Sequence, residues 1–249
     1  YFRLQYGRHG LLGLSDRLRT RQDEKIVRKF DSFVVLTEED KGYWGELPNI
    51  ETIPNAAITT EASRSDCTAH RVIAVGRLDY QKGFDRLIEA WSIVKEDSEY
   101  SDWQLDIFGQ GEWKDMLERM IQEKGLGDSA HINRPTNDIW NEYARSSMLV
   151  MSSHFEGLPM VLIEAMTCGL PAVTFDFKCG PKDIIEDGKN GLLVPEGNVQ
   201  ALAEAMKKLM SDESLRRKMG TEALKIKEKY AEEAVMSRWI QLFKRLTLK

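Results

Sequence analysis

Six short apolar runs mark the chain from residue 71 onward. They are VIAVG (72–76), LDIF (105–108), HIN (131–133), MLVMSS (148–153), PAVTF (171–175) and GLLVP (191–195). Several are apolar throughout instead of alternating, as in strands covered on both faces. Helical spacing takes over between them. Leu87, Ile88, Trp91 and Val94 form one apolar stripe, and Val199, Leu202, Met206 and Leu209 another. Alternating strand and helix predicts an α/β fold built on a doubly wound parallel sheet. The gaps are long enough for the crossover helices that parallel strands need. From Asn198 to Lys249 the pattern is helical, with turns near Ser211–Ser214 and Tyr230. The last stretch, VMSRWIQLFKRL, is amphipathic, with Trp239, Leu242, Phe243 and Leu246 on one side that needs a cover.

The start of the chain is thinner. FDSFVVLTEEDK predicts a strand at 33–37 and a helix starting at Thr37 with acids in its first turn. IETIPNAA adds a short extended piece stopped by Pro54, and residues 56–70 are polar and linker-like. One strand and two helices cannot make a sheet domain. Together with Tyr1 in place of Met, this reads as a fragment of a longer protein, with 1–54 the tail of a preceding domain.

Composition narrows the function classes. A chain of 249 residues with 42% hydrophobic content can bury at least one large core. Net charge of −5 gives no global signal for nucleic acid. Residues 1–29 hold eight Lys/Arg against three acids, which reads as a solvated helix face. Cys67, Cys168 and Cys179 are far apart and form no Cys-x-x-Cys pair, so neither a disulfide framework nor a zinc site is suggested. No apolar run approaches the ~18 residues of a membrane span, and no signal peptide is visible. A cytoplasmic setting fits.

In an open α/β sheet ligands bind beyond the carboxyl ends of the strands, so the loops there carry the candidate chemistry. After the first run, GRLDYQKG supplies Gly76, Arg77 and Lys82, two cations before a helix that suit an anion. After the second, Gly109 and Gly111 permit close backbone approach, but this G-x-G is not a dinucleotide fingerprint, because Lys114 holds the third glycine position. After the fourth comes EGLPMVLIE. Taken alone, Glu156 reads as a loop charge and Glu164 as a solvated helix residue. In context, Gly157 allows a tight turn and Pro159 suits a helix's first position. The amides of Gly157, Leu158, Met160 and Val161 then face beyond the strand ends and favour an anion. Glu156 stands in the loop before this helix, and Glu164 lies on it, ~7.5 Å further along at ~1.5 Å rise per residue. Two carboxylates flanking an anion grip can accept hydroxyl hydrogen bonds at both ends of a diphosphate, which describes a nucleotide-sugar.

GRLDYQKGFDRLIEAW, EGLPMVLIEAMTCGLPAV and DGKNGLLVPEG together resemble the donor-binding domain of family 4 glycosyltransferases with the GT-B fold, over about residues 30–249. The resemblance implies that Arg77 and Lys82 neutralise the donor diphosphate, that Glu156 contacts the transferred sugar and that Glu164 binds ribose hydroxyls. It makes Glu156, Arg77 and Lys82 the catalytic group, with Glu156 a sugar clamp and not an established nucleophile. NRPTND, with Arg134 and Pro135, resembles the part that lines the base. CGPKDII resembles enzymes of bacterial surface-polysaccharide synthesis, which often use UDP-sugars. The family implies retention of anomeric configuration without a metal, no cofactor, and a glycan or lipid-linked saccharide acceptor, with room for a peripheral contact with the inner membrane. The implied division is a remnant of an acceptor domain (1–54), a linker (55–70), a nucleotide-sugar-binding domain (71–235) and a C-terminal helix (236–249) that returns toward the first part or drives self-association. The family's catalytic His belongs to the acceptor domain. His9 lacks its context, and His70, His131 and His154 read as structural. Lys178 and Lys182 are candidates for the acceptor side. A non-catalytic donor-binding subunit and a GT-B nucleotide-sugar epimerase are the alternatives.

Overall fold

The computed structural model describes residues 23–58 and 64–248. His9 and the basic residues before Asp23 lie outside them. Strands β3 (Arg71–Val75), β4 (Gln104–Phe108), β5 (Ala130–Asn133), β6 (Met148–Met151), β7 (Ala172–Asp176) and β8 (Gly191–Pro195) form one sheet. Its order is β5-β4-β3-β6-β7-β8, and every pairing is parallel. Each strand falls on an expected apolar run, within a residue or two. The sheet is α/β and doubly wound, as the alternation predicted.

The winding follows from the handedness of crossovers. From β3 the chain moves outward through α2 (Phe84–Lys95) to β4 and through α3 (Lys114–Glu123) to β5. It returns through α4 (Ile139–Ala144) to β6 and moves the other way, through α5 (Met160–Thr167), to β7. Right-handed connections in opposite directions put α2 and α5 on opposite faces. A short helix, α6 (Pro181–Ile184), precedes β8. After β8, α7 (Val199–Ser211) packs back on α2, while α8 (Glu213–Ala223) and α9 (Ile226–Tyr230) pack on α5. Both faces are thus covered, and Val72, Ile73, Leu105, Ile107, Leu149 and Val173 are fully buried. The predicted stripe of Leu87, Ile88, Trp91 and Val94 is also fully buried.

The early segment forms a separate two-stranded parallel sheet of β1 (Phe33–Val35) and β2 (Ile50–Thr52), with α1 (Glu38–Tyr43) between. Thr37 caps α1 by accepting from the Asp40 amide at 3.0 Å. The Asp183 carboxylate of α6 accepts from the Glu38 and Glu39 amides at 3.2 and 3.3 Å, tying this unit to the large sheet.

The last helix, α10 (Glu232–Thr247), begins before the stretch that marked it in the sequence. Its inner face brings Val235 and Leu242 against Ile53, flanked by Val34, Trp239 and Leu246. Arg245 pairs with Glu51 at 2.5 Å. The apolar side drawn from the sequence is only partly right. Phe243 is 56% exposed and stacks on Trp239, with ring centroids 5.7 Å apart. Among the described residues no helix is long and apolar enough to cross a membrane.

Position on α10 therefore decides what a truncation costs. Leu242→Ala should destabilise by about 2–4 kcal/mol, because it opens a cavity against Ile53. Ile240→Ala, at a half-exposed site, should cost less than about 1 kcal/mol. Urea unfolding of both variants checks the contrast.

Candidate functional site

The strand order reverses between β3 and β6, so the loops leaving their carboxyl ends diverge onto opposite faces and leave a crevice. The loop after β3 runs through Gly76, Arg77 and a short 3-10 turn, Tyr80–Lys82, to Gly83. Asp79 caps that turn through the Lys82 amide at 3.3 Å. Gly83 adopts a left-handed conformation, φ +59°, and a Cβ there would run into the Ser152 carbonyl. The loop is therefore held against the end of β6. Ser152 Oγ donates to the Lys82 carbonyl at 3.0 Å, and Arg86 donates to the Ser152 carbonyl at 2.5 Å.

This junction brings Lys82 to Glu156. Nζ lies 2.6 Å from Oε1, and both side chains are largely shielded, at 14% and 9% exposure. Ser153 Oγ donates to the same carboxylate oxygen at 2.8 Å. Gln81 Nε2 donates to the other at 3.1 Å and also to the Phe155 carbonyl at 3.1 Å. Arg77 stands apart. It projects into solvent, pairs with Asp79 at 3.0 Å and donates to Gln81 Oε1 at 3.2 Å. The sequence reading gave Lys82 and Glu156 separate tasks; the fold makes them a pair. Gln81 and Ser153 were not singled out there, because neither residue type at that spacing signals chemistry before the two loops meet.

Beyond Glu156 the chain turns through Gly157 and Leu158 into α5. Pro159 is the N-cap and not the first helical residue, and no side chain caps the helix. The first amides, those of Met160 and Val161, have no intrahelical partner and face the crevice end of the sheet. The side chain of Leu158 is buried, and those of Met160 and Val161 are half-buried against the core, so these residues can offer a ligand backbone rather than side-chain groups. The loop after β7 packs against this turn: Phe155 bridges to Lys178, and a Cβ on Gly180 would strike the Pro159 ring. Lys182 on α6 pairs with Asp176 at 2.8 Å.

Glu164 lies on α5, where burial raises its carboxyl above the ordinary range and Tyr143 partly offsets that rise. Tyr143 comes from α4 and is fully buried, and among the described residues its hydroxyl lies near the Glu164 carboxylate without closing to an ordinary hydrogen bond. Burial, followed by the negative charge of Glu164, pushes the phenol well up.

The remaining candidates line the same edge of the sheet. Gly109 follows β4, so close to β3 that a Cβ would run into the Gly76 carbonyl. Arg134 and Pro135 follow β5 and are exposed. With strands ~4.8 Å apart, they begin roughly 10 Å from the end of β3, within reach of an extended ligand and out of reach of Glu156. Of the histidines, His70 pairs with Asp102 at 2.5 Å and His131 with Gln104 at 3.1 Å. His154 stacks on Tyr80 with centroids 4.1 Å apart, and burial, then Arg86, lowers its pKa.

Comparison with known proteins gives a consistent family. The family model described as "Glycosyl transferases group 1" matches residues 58–226. The amylovoran biosynthesis glycosyltransferase AmsD of Erwinia amylovora is 35% identical over 219 residues, 84% of this chain and 61% of that protein. The poly(ribitol-phosphate) alpha-N-acetylglucosaminyltransferase of Staphylococcus aureus is 32% identical over 232 residues, 90% of this chain and 46% of that protein. A solved structure of an S. aureus TarM mutant in complex with fondaparinux, alpha-GlcNAc-glycerol and UDP aligns with a TM-score of 0.81 at 28% identity, covering 96% of this chain and 49% of that one. The chain thus spans about half to three-fifths of these relatives.

The environment of Glu164 sets a pH-dependent cost. Its carboxyl is raised in the folded protein, so the folded state holds the proton more tightly than the unfolded chain. The destabilisation is absent below the usual glutamate range, grows as pH rises from there to the raised value, and is complete above it. Glu164→Gln should therefore raise the melting temperature at pH 7.5, and the gain should shrink as pH falls toward about 4.5. Calorimetric melting of both proteins across that range checks the sign.

Proposed function

The chain belongs to the group 1 glycosyl transferases, and from that membership we propose that it supplies the donor side of a hexosyl transfer from a nucleotide-sugar, a UDP-sugar, to a glycan or lipid-linked saccharide. The observation that carries the reading is the Lys82–Glu156 pair beside the uncapped start of α5, at the reversal point of the sheet. A diphosphate over that point meets the Lys82 ammonium, the exposed Arg77 guanidinium and the first α5 amides. These offset the charge that develops on the leaving nucleoside diphosphate, the role a metal ion otherwise fills. The reaction is then independent of added metal and retains the anomeric configuration, as in the family that the sequence resembles. Glu164 takes ribose hydroxyls, and the loops carrying Gly109, Arg134 and Pro135 extend the site toward the base.

In this reading Glu156 has two functions. It accepts from a hydroxyl of the transferred sugar and holds Lys82 for the phosphates. The pairing supports a ranking of the two cations. Arg77 is exposed and held by Asp79 and Gln81 at the surface, whereas Lys82 is already set against Glu156 in a shielded site.

Calorimetry with UDP, GDP and ADP tests the proposal, and UDP is expected to bind. No heat with any of the three argues against a donor site. Lys82→Ala should weaken UDP binding by ~1.5–3 kcal/mol, the range for a hydrogen bond to a charged group. Arg77→Ala should cost less, and uridine binding should change little in either variant. An equal loss for uridine would mean that the cations act on the fold and not on the phosphates.

A further inference from the structure

The hydrogen bonds around Glu156 raise a question that its family role leaves open. Its Oε1 accepts from both Lys82 and Ser153, and its Oε2 accepts from Gln81. A carboxylate has about four acceptor positions, two on each oxygen. Oε1 is full, and Oε2 retains one position for a ligand hydroxyl. If a diphosphate draws Lys82 toward itself, a residue that is only 7% exposed loses its single charged partner. Something else has to keep the carboxylate in place, because a buried acceptor is costly to leave unmatched.

We infer that Ser153 and Gln81 are positioning residues that keep the Glu156 carboxylate aimed at the donor sugar when Lys82 turns to the diphosphate. The inference rests on the donor reading of the site. Ser153 is 1% exposed, and its hydroxyl proton goes to Glu156. Gln81 is fixed in orientation, since its amide nitrogen donates to Glu156 and to the Phe155 carbonyl while its oxygen accepts from Arg77. Neither neutral group competes for phosphate as an ammonium does, so both stay on Glu156. Gln81 also links the two cations through one carboxylate: Arg77 holds Gln81, Gln81 holds Glu156, and Glu156 holds Lys82. A ligand that engages Arg77 and Lys82, the two ends of that chain, leaves the Ser153 contact untouched. Ser153 is therefore the partner that no phosphate contact disturbs.

The test compares two ligands on the same chain: UDP, and whichever of UDP-glucose and UDP-N-acetylglucosamine the native protein binds more tightly. Ser153→Ala should leave the UDP dissociation constant within about twofold. It should raise the ratio of the UDP-sugar constant to the UDP constant about tenfold, the lower end of the loss for a hydrogen bond to a charged group. Unchanged UDP affinity also reports that the variant is folded. In a Glu156→Gln background the same Ser153→Ala change should not move that ratio, because the group it positions is gone. Equal weakening of both ligands, an unmoved ratio, or a full effect in the Glu156→Gln background would each overturn the inference while leaving the donor site intact. Failure of the native protein to bind either ligand would instead overturn the donor reading, and the inference with it.

Discussion

A parallel sheet with right-handed connections must diverge wherever its winding reverses, and in this chain the reversal falls between β3 and β6. The other features of the site depend on that one constraint. The divergence leaves the loops after β3 and β6 side by side in space, although more than 70 residues separate Lys82 from Glu156 in sequence. Pairing of Val72 with Met148 and Ile73 with Leu149 sets how far each strand extends before its loop begins. Gly83 then lets the first loop close onto the Ser152 carbonyl, where any side chain would hold it away. The ion pair is a product of sheet register and of one left-handed glycine.

The two carboxylates of EGLPMVLIE have the same chemistry and opposite surroundings. Glu156 is buried but receives three donors, one of them a cation. Glu164 is half-buried with a single phenol beside it, and its proton affinity rises accordingly. The protein thus holds one acid already satisfied and one in need of donors. A carboxylate with one acceptor position left takes a ligand hydroxyl from one direction only, which favours selectivity. A carboxylate short of donors gains more from ligand hydroxyls than it would at an open surface, since the desolvation cost has already been met in folding.

Much of the fold was legible in the sequence because burial on both faces leaves a simple trace. VIAVG and MLVMSS are apolar throughout for the reason that helices cover both sides of their strands. The candidate site was legible to the extent that it used charged residues near glycines: Arg77, Lys82, Glu156 and Glu164. What stayed hidden was every contact made across the crevice. Gln81 and Ser153 are ordinary residues until the β3 and β6 loops meet, and Tyr143 looks like core packing on α4. The end of the chain misled for a related reason. Trp239, Leu242, Phe243 and Leu246 share a side of a helical wheel, but the strip offered by Ile53 and Val34 is narrow and covers only part of it. Periodicity reports which face is apolar, not how wide its cover is.

The hydrogen-bonded chain from Arg77 through Gln81 and Glu156 to Lys82 has a consequence for how a ligand is sensed. Each member is held by the next, so the two cations differ in what drawing them off costs. Arg77 is solvent-facing and can be drawn off by any passing anion, at the loss of one contact to Asp79 and one to Gln81. Lys82 is different, because moving it uncovers a buried carboxylate. A free anion provides nothing to replace the ammonium. A ligand that brings a phosphate and a hydroxyl together does, since the hydroxyl can donate to Glu156 as the ammonium turns. Under the donor reading proposed above, the arrangement favours an anion that carries a hydroxyl over one that does not, and it does so through the burial of Glu156 and not through any contact specific to one sugar.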